Sequence, residues 1–137
     1  MAISTDKMLR LTGFILGSAG QPFSWGGLDC NTFAATVNDI LTGNKTLGKI
    51  QFQYSDAISA MRFQRNFLSA RQYLYNNGWR EVKDGNYQDG DMLICDDKHW
   101  SRAHVVYNKQ AWSVHEQFGV CGGHISSLPE FTHWRLP

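Results

Sequence analysis

The chain has 137 residues, 42% of them hydrophobic and 13% aromatic, with 13 basic against 12 acidic side chains and a net charge of +1. That is one domain spanning 1–137, able to bury roughly two-thirds of its unfolded surface and too apolar to be disordered. The charge balance excludes a basic nucleic-acid footprint, and no apolar run reaches the roughly 18 residues of a membrane span.

Charged residues make up only 18% of the chain, below the roughly 25% of an average domain, which points to surface covered by a partner. The first twenty residues resemble a signal peptide in outline, but Asp6 sits in the would-be basic region and Thr12 and Gly13 interrupt the apolar stretch. An amphipathic helix fits better, capped by Ser4 or Thr5, with Met8, Leu11 and Ile15 inward and Gly17 ending it. A turn-rich stretch with Pro22, Gly26 and Gly27 follows. From Asp29, placed as N-cap, the residues Cys30, Phe33, Ala34, Val37, Ile40 and Leu41 repeat at helical spacing up to Thr42-Gly43.

Residues 44–54 read as a connector and 55–76 as one or two helices. Turn residues fill 83–90, and the character then changes to strands at 91–95, 103–107 and 111–115. His124–Ser126 and the tail Thr132–Leu136 add candidate edge strands. Helices followed by an antiparallel sheet define an α+β fold.

Of three cysteines, Cys30, Cys95 and Cys121, at least one is free because the number is odd and no C-x-x-C pair occurs. Cys30 stands in the first turn of a helix, where unpaired amides and the helix dipole favour a thiolate and can hold an oxyanion. Cys95 reads as a core residue and Cys121 as a loop residue. Among the five histidines, His104 opens one strand and His115 closes the next. With a loop at Asn108-Lys109-Gln110, facing residues sum to about 218, so a bulge or one-residue slip is needed to align the pair. The three side chains then follow the logic of a Cys-His-polar triad. His99, His124 and His133 read as surface residues. No paired ligands at zinc spacing, phosphate loop or dinucleotide fingerprint is present, so no metal or cofactor is expected.

The segment Pro22-Phe23-Ser24-Trp25-Gly26-Gly27-Leu28-Asp29-Cys30 resembles the Pro-aromatic-x-Trp-Gly…Asp-Cys element of the NlpC-type cell-wall peptidases, a branch of the papain-like cysteine peptidases. Gly90-Asp91-Met92-Leu93-Ile94 is similar to that family's Gly-Asp strand opening, and His104-Val105-Val106-Tyr107 to its His-Val-x-x-Tyr strand. Val114-His115 falls where the family places its third polar residue. The short loop before Cys30 and the ending His133-Trp134-Arg135 look most like the compact single-domain versions of tailed bacteriophages.

The resemblance implies a papain-like fold with Cys30 as nucleophile, His104 as general base and His115 orienting the imidazole. Phe23, Trp25 and Asp29 would contact substrate. The reaction implied is hydrolysis of amide bonds in peptidoglycan stem peptides through a thioester. The partners implied are the peptidoglycan peptide and larger phage tail or virion proteins, without membrane insertion. The protein would be made in the host cytoplasm, carried in the virion and act at the bacterial wall. Two positions depart from the family: Phe23 replaces a frequent Tyr, and Asn31-Thr32 a frequent Ser-Gly. A structural virion protein keeping the fold, or an amidase or acyltransferase on another substrate, are the alternatives.

Overall fold

Helix α1 (Thr5–Ser18) begins where the Ser4 side chain accepts the Lys7 N–H, and it turns Leu11 and Ile15 into the core. Helix α2 (Cys30–Thr42) is closed at both ends by its own sequence. Asp29 and Thr32 form a reciprocal capping box, and Gly43 takes the left-handed conformation (φ 80°) that donates its N–H to the Asp39 carbonyl. The connector carries a one-turn helix, α3 (Leu47–Ile50), and the next region divides into α4 (Ala57–Asn66) and α5 (Ala70–Asn76). The computed structural model describes residues 3–67, 69–96 and 100–137. Among them no helix is long and apolar enough to cross a membrane.

Six strands follow: β1 (Arg80–Val82), β2 (Met92–Asp96), β3 (Ser101–Tyr107), β4 (Gln110–His115), β5 (Gly119–His124) and β6 (Thr132–Arg135). They form one antiparallel sheet in the order β1-β6-β2-β3-β4-β5. The α+β class expected from the order of elements is therefore the class adopted.

Alternation along the strands sorts the sheet into two faces. Met92, Ile94, Ala103, Val105, Val114 and Trp134 pack on α1 and α2 through Leu11, Ile15, Phe33 and Val37. Leu93, Val106 and Ala111 face the other way, under Ile125, Leu128 and Phe131 from the segment after β5. Trp79 is fully buried and donates its indole N–H to Asn38 Oδ1 at 2.8 Å, tying the start of β1 to α2.

Five details differ from what the sequence leads one to expect. The β3–β4 loop has two residues, Asn108 and Lys109, both with positive φ (50° and 63°), so facing residues pair as Val105–Trp112 and Tyr107–Gln110. Cys121 lies in strand β5, and a 3₁₀ turn (Ile125–Ser127) occupies most of the edge strand expected at 124–126. The three-residue β1 carries too little pattern to be read as a strand. His133 is buried rather than on the surface, because β6 slots between β1 and β2 and turns it onto Asp91. His99 lies outside the described residues.

Candidate active site

Position and chemistry of Cys30 are set by the cap beneath it. Asp29 is fully buried and accepts four hydrogen bonds: from Asn31 N–H (3.0 Å) and Thr32 N–H (2.9 Å) on Oδ1, and from Gly26 N–H (2.9 Å) and the Tyr54 hydroxyl (2.7 Å) on Oδ2. Its oxygens are thus occupied by the chain itself, and it positions the thiol rather than facing a ligand. Gly26 has φ +78°, and a Cβ there would stand 2.1 Å from the Tyr54 carbonyl oxygen, so only glycine fits this loop.

Cys30 approaches the sheet from the α2 side, where β3 and β4 part. Regular pairing stops at Val105–Trp112, and beyond it the Ser113 hydroxyl donates to the Ala103 carbonyl at 2.9 Å. The Ala103 N–H and the Trp100 indole N–H donate toward the sulfur, and Arg102 adds positive charge; all three favour the thiolate. Burial opposes them and dominates, with the Asp29 carboxylate next, so the thiol is pushed up to about 12. Burial thus favours the protonated thiol.

His104 pairs with Leu93 across β2–β3, so its side chain shares the sheet face of Leu93 and Val106, away from α2. Its Nδ1 is buried without a hydrogen-bond partner. Burial pushes the imidazole down to about 4; the Leu93 backbone pulls upward and the Arg102 charge downward. No hydrogen bond joins His104 to Cys30. The pairing register places His115 on the same face as His104, but His115 is exposed, stacks on Phe118 with centroids 4.9 Å apart, and accepts the Gln117 N–H on Nδ1 at 3.0 Å.

The sequence carried a signal for this arrangement. In a His-Val-x-x-Tyr strand the two end residues lie four apart and share a face, whereas His104 and Tyr107 are three apart. Tyr107 reaches Thr12 on α1, with 3.0 Å between the hydroxyls, and the residue four before it, on the α2 face, is Ala103.

The aromatic residues do gather beside the thiol. Phe23 meets Trp25 edge-on (4.8 Å, 87°), and Trp25 meets Trp100 in the same way (5.6 Å, 76°). They form one wall of a groove of about 920 Å³ that runs past Cys30, His104 and Ser113 to Gly122, His124 and Leu128. Asn31 Nδ2 and Gln64 Nε2 both donate to the Ser101 carbonyl at 3.2 Å and fix the start of β3 against α2 and α4. The contacts that join Ser101 to Asn31 and Gln64 leave no signal in the sequence because they span up to seventy positions. Among the described residues no group of three His, Cys, Asp or Glu side chains could hold a metal ion.

A family model described as a domain of unknown function, DUF6950, matches residues 5–128, nearly the whole chain. No curated protein matches it.

Proposed function

The chain belongs to the DUF6950 family, whose description leaves function open, and from the site itself we propose a papain-like, NlpC-type domain that holds an extended peptide in the groove beside Cys30 without cleaving it. Its setting is a larger assembly acting at the bacterial wall, with the bacteriophage tail or virion favoured by the resemblance of residues 22–30. Cysteine at a helix N-terminus, packed on an antiparallel sheet, supports the papain-like assignment. One observation carries the non-hydrolytic reading: Cys30 and His104 line one groove but share no hydrogen bond. Burial favours the protonated thiol and the neutral imidazole, whereas cysteine hydrolases run on the thiolate–imidazolium pair.

A second reading is hydrolysis of amide bonds in peptidoglycan stem peptides, and the place of Cys30 at the first residue of α2, lining one groove with His104 and His115, favours it. In that case Cys30 would pass its proton to His104 as sulfur attacks the carbonyl, the α2 amides would hold the oxyanion, and His104 would protonate the departing amine. Water would then release the acyl group from the thioester.

Iodoacetamide labelling of Cys30 at pH 6, mapped by mass spectrometry, separates the two, together with digestion of peptidoglycan fragments and mapping of new amino termini. Labelling no faster than free cysteine, insensitive to His104→Ala, with fragments unchanged, is the expected outcome. Rapid labelling abolished by His104→Ala, or new termini lost with Cys30→Ala, would establish the hydrolase instead.

A further inference from the structure

Strand β5 ends the sheet, and its outer edge is only half used. Val120 points its main chain outward: its N–H donates to the Gln21 carbonyl (2.9 Å) and its carbonyl accepts the Gly20 N–H (2.8 Å). Gly20, in the left-handed conformation (φ 82°), and Gln21 together thus engage this edge at Val120. In an antiparallel ladder the outward-facing residues alternate, so Gly122 and His124 present the next outward groups. Among the described residues the Gly122 N–H and carbonyl and the His124 N–H have no hydrogen-bond partner, while the His124 carbonyl accepts the Ser127 hydroxyl at 2.7 Å.

Natural sheets blunt such an edge with lysine, proline, a bulge or a covering loop. Here Cys121-Gly122-Gly123-His124 carries none of these, and a Cβ on Gly123 would meet nothing within 4 Å. The same residues line the far end of the groove that begins at Phe23 and Trp25.

We infer that the open edge at Gly122–His124 receives an extended segment of a partner protein, which adds a short strand to β5 and continues into the groove. Main-chain groups awaiting a donor and an acceptor fix the occupant's chemistry as an extended backbone. A second copy of this chain is disfavoured by the same geometry. A twofold pairing centred on Gly122 would set His124 of one copy against Val120 of the other, whose edge Gly20-Gln21 already fills. This inference rests on the groove-binding reading above and names the peptide's anchoring point within it.

His124 offers a clean test, because its φ of −69° is the value proline imposes. His124→Pro therefore removes the outward N–H and caps the edge without straining the turn, and His124→Ala serves as the side-chain control. The probe is the acetylated, amidated hexapeptide TVTVTK at up to about 1 mM, followed through the amide signals of isotopically labelled full-length protein. Shifts and slowed exchange at Gly122 and His124 are expected, weakened about five- to tenfold by His124→Pro and changed less than about twofold by His124→Ala.

Equal binding of a peptide N-methylated at alternate residues, unchanged binding to His124→Pro, or no shifts at all would overturn the inference. Shifts confined to Phe23, Trp25 and Trp100 would overturn it while leaving groove binding in place. Cleavage of the probe would sink the non-hydrolytic reading alone. A concentration-dependent dimer abolished by His124→Pro would give the edge to a second copy.

Discussion

Asp29 holds together three parts of the chain that converge on Cys30: the loop at Gly26, the first turn of α2 and the Tyr54 side chain. Asp29→Ala leaves these donors buried and unpaired, so a loss of about 2–4 kcal/mol is expected in urea unfolding; a loss below about 1 kcal/mol would show that the network relaxes freely. His104 makes a second prediction. Its folded form stays neutral down to about 4, while in the unfolded chain it titrates near 6.5. Between those values the unfolded state binds the extra proton, so stability is full above about pH 6.5 and is lost as pH falls toward 4, by up to about 3 kcal/mol. Thermal unfolding across that window should flatten in His104→Gln; an unchanged profile would assign the loss to other groups. The cap at Asp29 was legible in the sequence because capping is local chemistry within four residues. The direction of His104 was not, because it depends on the phase of one strand, and a phase error of one residue reverses every side chain.

At the scale of single elements, the β3–β4 hairpin stores a correctable cost. Its two loop residues sit in the left-handed region, which suits Asn108 but not Lys109. Lys109→Gly should stabilise the protein by about 1 kcal/mol, read as a raised midpoint in urea with unchanged slope; a lowered midpoint would contradict the turn geometry. Helices α1 and α2 were predictable nearly to their ends, since both carry caps and an apolar stripe. Strand β5 was shifted in the sequence reading because Gly119, Gly122 and Gly123 erase the alternating pattern from which strands are recognised. The parting of β3 from β4 beyond Val105 leaves the Ala103 N–H to the Cys30 sulfur. No sequence pattern announces it, because the substitute bond comes from a serine ten residues away.

Across the whole molecule, the longest-range organisation passes through Asp91. Its buried carboxylate takes His133 Nε2 at 2.6 Å, Arg135 through Nε (2.9 Å) and a second guanidinium nitrogen (2.8 Å), and the Gln88 N–H at 3.0 Å. Arg135 reaches onward to Asp84 at 3.0 Å, and Tyr87 covers His133 with ring centroids 4.9 Å apart. The carboxylate therefore locks β6 and the 84–91 turn onto β2 together. Asp91→Ala should cost about 3–5 kcal/mol, since it leaves a cation and an imidazole facing an emptied site. Hydrogen exchange would show β1 and β6 losing protection before β3–β5, and uniform loss would refute a local lock. From the sequence, Asp91 was visible only as a strand opening, because its side-chain partners His133 and Arg135 lie more than forty positions downstream.

The place of β6 has one more consequence. Strand β6, which follows β5 in the chain, fills an interior position, between β1 and β2, and not an edge. Without β6 the sheet has two parts, a β2–β5 meander and β1, which pairs with no other strand. Neither piece can close on the other without residues 132–135, so β6 joins the two like a keystone set between the halves of an arch.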